Sequence, residues 1–157
     1  MKQLFCLPLL FLFIVIGCSS DDSQPLTPQE KSLEQQLQAK WNMTAFNFYD
    51  DTDGELLQSL NENGNCAYFG YIELMPGGKE VVGYYNAQNN CAEQKHRGTW
   101  TVDEEAKEMT LKIDQTGMEA AYKVISMDDH SMELQVIHEG GVKPSDSGID
   151  LRVSLEK

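Results

Sequence analysis

Any chemistry in this chain has to come from its four cysteines, three histidines and 25 acidic residues, so their spacing is the first thing to weigh. Cys91 and His96 are near each other in sequence, but a zinc site needs three or four such ligands and nothing nearby completes the set. His96, His130 and His138 fall on different segments with no metal-ligand spacing between them. Asp51-Thr52-Asp53-Gly54 has the look of a calcium loop. An EF-hand would require an acid where Tyr49 stands and a glutamate where Leu60 stands, so the stretch reads as a turn. A surface calcium held partly by backbone carbonyls is the alternative. No Gly-x-Ser-x-Gly elbow, His-Glu-x-x-His helix or phosphate-binding glycine loop occurs. The residues predict a protein that is not an enzyme and holds no metal and no cofactor.

Bulk composition narrows the partners. The chain has 157 residues, 41% of them hydrophobic, enough to bury one core. Its formal net charge is −13, with an isoelectric point near 4.5. Such a chain repels phosphate backbones, which excludes nucleic acid as a partner. It is also repelled by anionic headgroups, so attachment to a membrane requires something other than a basic patch.

The N-terminus supplies that attachment. Lys2 is followed by an uncharged run from Leu4 to Ile16. As a helix this run spans roughly 20 Å, short of the ~30 Å hydrocarbon core but right for a signal peptide. It ends in Val15-Ile16-Gly17-Cys18, which resembles the lipobox of bacterial lipoproteins. The resemblance implies a signal peptide over 1–17, cleavage before Cys18, and several acyl chains on that cysteine, which together anchor stably. Residues 18–26 then form a flexible lipidated tether, polar and acidic from Ser19 to Ser23. The implied location is the cell envelope, anchored by lipid at the outer membrane, on its periplasmic face or at the cell surface. In an exported protein the two cysteines left over, Cys66 and Cys91, predict a disulfide. Closing that loop is worth about 3 kcal/mol in the chain-entropy account.

The elements that must position everything else begin at residue 27. Thr27, Pro28 and Glu30 have the pattern of a capped helix start, predicting a short helix to about Gln38 with Leu33 and Leu37 on one face. From there the hydrophobic period is two. Strands are predicted over about Lys40–Tyr49, Cys66–Leu74, Lys79–Asn86, Gly98–Asp103, Met109–Asp114, Glu119–Met127, Met132–Val136 and Ile149–Glu156. Asp50 to Asn65 reads as turn, and Pro76-Gly77-Gly78 as a hairpin. Alternation places Trp41, Met43, Ala45, Trp100, Met109, Leu111, Ala120, Tyr122, Met132 and Leu134 inside. Thr110, Lys112, Glu133, Gln135, Arg152 and Glu156 face water, and His138 ends an inward face. Eight antiparallel strands with short links can close on themselves and abolish both edges. The predicted fold is all-β: an eight-stranded antiparallel up-and-down barrel after one short N-terminal helix, a single domain over 27–157.

From Leu37 to Leu155 the chain resembles the lipocalin-like domains of bacterial lipoproteins. Ala39-Lys40-Trp41, Gly98-Thr99-Trp100, Met109-Thr110-Leu111, Tyr122-Lys123-Val124 and Met132-Glu133-Leu134 carry the resemblance. Ala39 stands where that family has glycine. The family often packs an arginine of the last strand over the first tryptophan, but alternation points Arg152 outward. The resemblance implies an interior that binds a small lipophilic ligand, with the ten inward residues named above as its lining. The same large side chains could instead fill the barrel. In that alternative the protein is a surface interaction module, touching a protein or glycan through its loops and an exposed aromatic face of Phe69, Tyr71 and Tyr85. In a host with lipoprotein processing, palmitate label should enter the wild-type chain and be lost in Cys18→Ser. Label that persists in the variant, or a mature N-terminus elsewhere, would contradict the anchor.

Overall fold

The computed structural model describes residues 31–61, 69–86 and 91–157. The expected signal peptide over 1–17, Cys18, the expected tether over 18–26, the Thr27-Pro28-Glu30 pattern and Cys66 lie outside the described residues. Lys31 to Lys157 form one compact unit.

The helix α1 (Leu33–Leu37) starts later than the sequence pattern predicts. Ser32 is its N-cap: the side chain accepts from the Gln35 N–H at 3.2 Å, and the Gln35 side chain accepts from the Ser32 N–H in return. The Glu104 carboxylate accepts from the next two free N–H groups, Leu33 at 2.9 Å and Glu34 at 3.0 Å. At the other end Leu37 is fully buried, and its carbonyl accepts the Trp41 indole N–H at 2.8 Å. These bonds fix the helix over one end of the β-structure.

Nine strands come after it: β1 (Lys40–Asp50), β2 (Leu56–Asn61), β3 (Gly70–Met75), β4 (Lys79–Asn86), β5 (Ala92–Asp103), β6 (Glu108–Ile113), β7 (Glu119–Met127), β8 (Ser131–Glu139) and β9 (Ile149–Glu156). Every neighbouring pair is antiparallel, and β9 returns to pair with β1. The result is a closed barrel of eight strands, β1 and β3 to β9. The ninth, β2, lies in the stretch expected to be turn. Leu56 and Leu57 are both exposed on it, so no alternation marks it, and it hangs on the outer half of β1 as a hairpin. Pairing with β4 also extends β5 back to Ala92, well before the predicted Gly98. Its added residues, Glu93 to Arg97, are polar or charged and hide the strand from a hydrophobic pattern.

The predicted faces hold over most of the barrel. Trp41 and Trp100 are buried, Lys112 and Glu156 are exposed, and Thr110, Glu133, Gln135 and Arg152 lie half-buried on the outer wall. Three bulges change the phase elsewhere. In β1, Met43 pairs with Leu155 and Ala45 with Ser154, so Thr44 is an extra residue. Phe46 therefore faces inward, opposite Val153, and Ala45 faces outward, contrary to the alternation. In β8, Val136 pairs with Tyr122 and His138 with Ala121, so Ile137 is extra; this turns His138 out and Glu139 in, opposite Ala120. In β7 the extra residue is Ile125, which is exposed.

On the outer wall Tyr71 lies flat on Gly83, where a Cβ would come within 2.2 Å of the ring. Its hydroxyl donates to Glu93 and accepts from Lys95, and the Lys40 ammonium stands 3.7 Å above the ring. Tyr71 is consequently buried, at 2% exposure; Phe69, which packs against Phe46, is 5% exposed, and the exposed aromatic face does not form. The Cys66–Cys91 pairing falls on a residue outside the described set.

Candidate functional site

The barrel interior divides into two halves of different character. At the end covered by α1 the strands contribute Trp41, Leu74, Trp100, Met109, Met132 and Leu155, all at 3% exposure or less, and Leu37 from the helix caps them. Both tryptophans are held by polar tips: the Trp100 N–H donates to the Met75 carbonyl at 2.9 Å, as Trp41 does to Leu37. The cation over the Trp41 ring is the Lys157 ammonium, at 4.5 Å. Arg152 points outward as alternation predicts. It lies over Tyr49, binds Asp150 at 2.8 Å, and reaches Glu133 at 3.7 Å. This half is solid. Each fully buried large side chain contributes about 1.5–3 kcal/mol here, so it is where the barrel's stability sits.

The other half is hollow. A cavity of about 400 Å³ opens at the far end, with a recess of about 90 Å³ beside it. Of the residues expected to line the interior, Met43, Tyr122 and Leu134 line the cavity, and Leu111 and Ala120 line the recess. Trp41, Trp100, Met109 and Met132 line neither, because they pack the solid half. Ala45 also lines neither, because of the Thr44 bulge. The ten named lining residues leave out Phe46, Val136, Glu139 and Leu151, all of which line the cavity. Val136 and Leu151 lie on the apolar faces of the strands predicted over Met132–Val136 and Ile149–Glu156. Phe46 and Glu139 depend on bulges, which leave no mark in the residue types.

The hollow end has a structural cause. β1 pairs with β3 only over Lys40 to Asn42, and from Ala45 to Tyr49 the same edge pairs with β2. The wall between β1 and β3 therefore parts. Phe46 and Phe69 meet across the parting with ring centroids 5.7 Å apart, and both line the cavity. The opposite lip carries a polar cluster. His96 stacks on Tyr84, its Nε2 is 3.1 Å from the Tyr84 hydroxyl, and its Nδ1 is 3.0 Å from Gln115 Oε1. The Tyr84 hydroxyl donates to Gln94. Met118, at 40% exposure, adds an apolar contact to the rim.

Two acid groups bear on the interior, one exposed at the rim of the cavity and one buried in the barrel wall. Glu139 lines both cavity and recess. Glu80 is 1% exposed, inward-facing on β4 across from Gly98, where a side chain would fall 2.6 Å from its carboxyl. Neither of its oxygens makes a hydrogen bond of normal geometry among the described residues. Burial, reinforced by the Asp114 carboxylate and opposed by the Lys112 N–H, raises its pKa from 4.5 to about 7. The Tyr122 phenol is pushed well above its usual range, by burial first and then by the charges of Glu139 and Glu80.

No protein-family model and no curated relative matches the chain. Among solved structures it is similar to a lipocalin-like protein from Bacteroides uniformis, at 13% identity and a TM-score of 0.48, covering 78% of this chain and 98% of that one. It is also similar to a de novo designed fluorescence-activating β-barrel, at 13% identity and a TM-score of 0.42, covering 81% of this chain and 98% of that one.

Glu80 makes stability depend on pH in a definite direction. Its folded pKa, about 7, lies above the ordinary 4.5, so its contribution is intact below the lower value and is lost as pH rises through the upper one. Glu80→Gln keeps the shape and removes the titration. Urea unfolding at pH 8 should find the variant more stable than wild type, by up to about 3 kcal/mol from the size of the shift. By pH 5 most of that gain should be gone. A difference that does not change with pH would refute the buried-acid assignment.

Proposed function

We propose that this domain binds a small apolar ligand in the hollow half of its barrel, and that lipid on Cys18 holds it at the cell envelope. The single observation carrying the binding proposal is the cavity of about 400 Å³, within the range of small-molecule sites, with a predominantly apolar lining. The solid half supports it too, since a rigid base keeps the walls of the hollow half apart without an occupant. The anchor rests on the lipobox-like Val15-Ile16-Gly17-Cys18 alone. The Cys66–Cys91 disulfide belongs to the same proposal, because an exported domain has the oxidising environment to form it. The rival, a surface interaction module with a filled barrel, has less support. The interior is only half filled, and Phe69 and Tyr71, which that reading needs outside, are buried.

The test uses the mature chain with Cys18→Ser, titrated with N-phenyl-1-naphthylamine, a neutral dye that brightens in apolar surroundings. Fluorescence should rise and saturate at one dye per chain. Val136→Trp, which fills the cavity from β8, should weaken binding at least tenfold, about 1.4 kcal/mol. Ala45→Ser, outside the cavity, should leave it unchanged. Unsaturable binding, or equal affinity in Val136→Trp, would overturn the proposal.

A further inference from the structure

Three features of the hollow half bear on the kind of ligand it takes. Among the described residues, no lysine or arginine lines the cavity or the recess. The internal stretches outside that set, 62–68 and 87–90, contain neither residue type. The carboxylate shared by both spaces is Glu139, exposed at the rim and set on the cavity side by the Ile137 bulge. Tyr122 also lines both, is 8% exposed, and its hydroxyl makes no hydrogen bond among the described residues. A neutral phenol can donate one hydrogen bond and accept others, so it is a partner for a ligand hydroxyl or ammonium.

The turns beyond the cavity are predominantly acidic. The turns at this end carry Asp51, Asp53, Glu55, Asp114 and Asp146 against a single Lys143. A ligand carboxylate entering here would leave water, find no lysine or arginine, meet a His96 ring already engaged by Tyr84 and Gln115, and approach Glu139. Stripping water from an ionised carboxylate without a counter-charge is among the costliest transfers into a protein interior. An alcohol avoids that cost, and an amine meets a carboxylate of opposite charge.

We infer that the cavity selects against anions and takes an apolar chain ending in a hydroxyl or ammonium group, an aliphatic alcohol or amine in place of a fatty acid. This rests on the ligand-binding reading above. Glu139 is the specificity-determining residue, and Tyr122 supplies the neutral hydrogen-bonding group.

The experiment compares three probes with one tail, 1-octanol, octylamine and octanoate, displacing N-phenyl-1-naphthylamine from the Cys18→Ser mature chain at neutral pH. Octanol and octylamine should compete, octylamine at least as well as octanol, with octanoate at least tenfold weaker. Glu139→Gln should remove any advantage of amine over alcohol. Glu139→Lys should bring octanoate up to or past octanol. Both substitutions sit at the rim, away from the solid half, and retained dye binding reports that each variant is folded. If octanoate competes as well as octanol in wild type, the selectivity inference fails and the binding proposal stands. If Glu139→Lys leaves the order of the three probes unchanged, Glu139 is not the selector and the inference fails in that form. If the dye itself does not bind, the binding proposal falls and this inference falls with it.

Discussion

The pairing of β1 with three other strands governs the shape of this molecule. One edge of β1 runs against β9 from Asn42 to Asp50 and closes the barrel. The other edge is divided, to β3 for its first residues and to β2 for the rest. Closure removes the exposed edges that make an isolated sheet prone to association. The division parts the wall above Asn42, with Phe46 and Phe69 across the parting. The Thr44 bulge belongs to the same constraint. Its hydroxyl donates to the Ser154 carbonyl at 3.2 Å, so the extra residue is tied to β9 and the rephasing is held in place.

A barrel built this way has a gradient of packing along its axis. Large residues crowd the end under α1, where Leu37, Trp41 and Met109 are fully inaccessible to solvent. Toward the other end the inward positions of β3 include Gly70, which lines the cavity with no side chain to fill it. The question of a hollow or a filled barrel therefore has two answers, one for each half. The separation is useful physically: folding free energy comes mainly from one end, so the other can hold empty volume that a small core could not otherwise tolerate.

Much of this is legible in residue order. The strands at Lys79–Asn86, Glu119–Met127 and Ile149–Glu156 fall where period-two alternation puts them, and the eight-stranded closed meander is the consequence of their number and short links. Trp41 and Trp100 are interior, as the pattern requires. What alternation cannot show is the place along the axis: a residue facing inward at the solid end and one facing the cavity have the same pattern. That is why both tryptophans, Met109 and Met132 look like a ligand lining in the sequence and are core. Bulges are the second blind spot. Alternation gives Ala45 and His138 the inward faces that Phe46 and Glu139 occupy, because one extra residue reverses every face beyond it. The helix begins after Ser32, whose reciprocal bonds with Gln35 make a cap that the reading from Thr27-Pro28-Glu30, outside the described residues, does not pick out.

Methionine methyl groups are placed to test the division into two halves directly. Met43 and Met118 line the cavity, while Met109 and Met132 are buried in the solid end. With methyl-labelled methionine, NMR spectra recorded during a titration with 1-octanol should show saturable shifts at Met43 and Met118, with Met109 and Met132 unmoved. Shifts centred on Met109 and Met132, or no saturable shift at any methionine, would contradict the account.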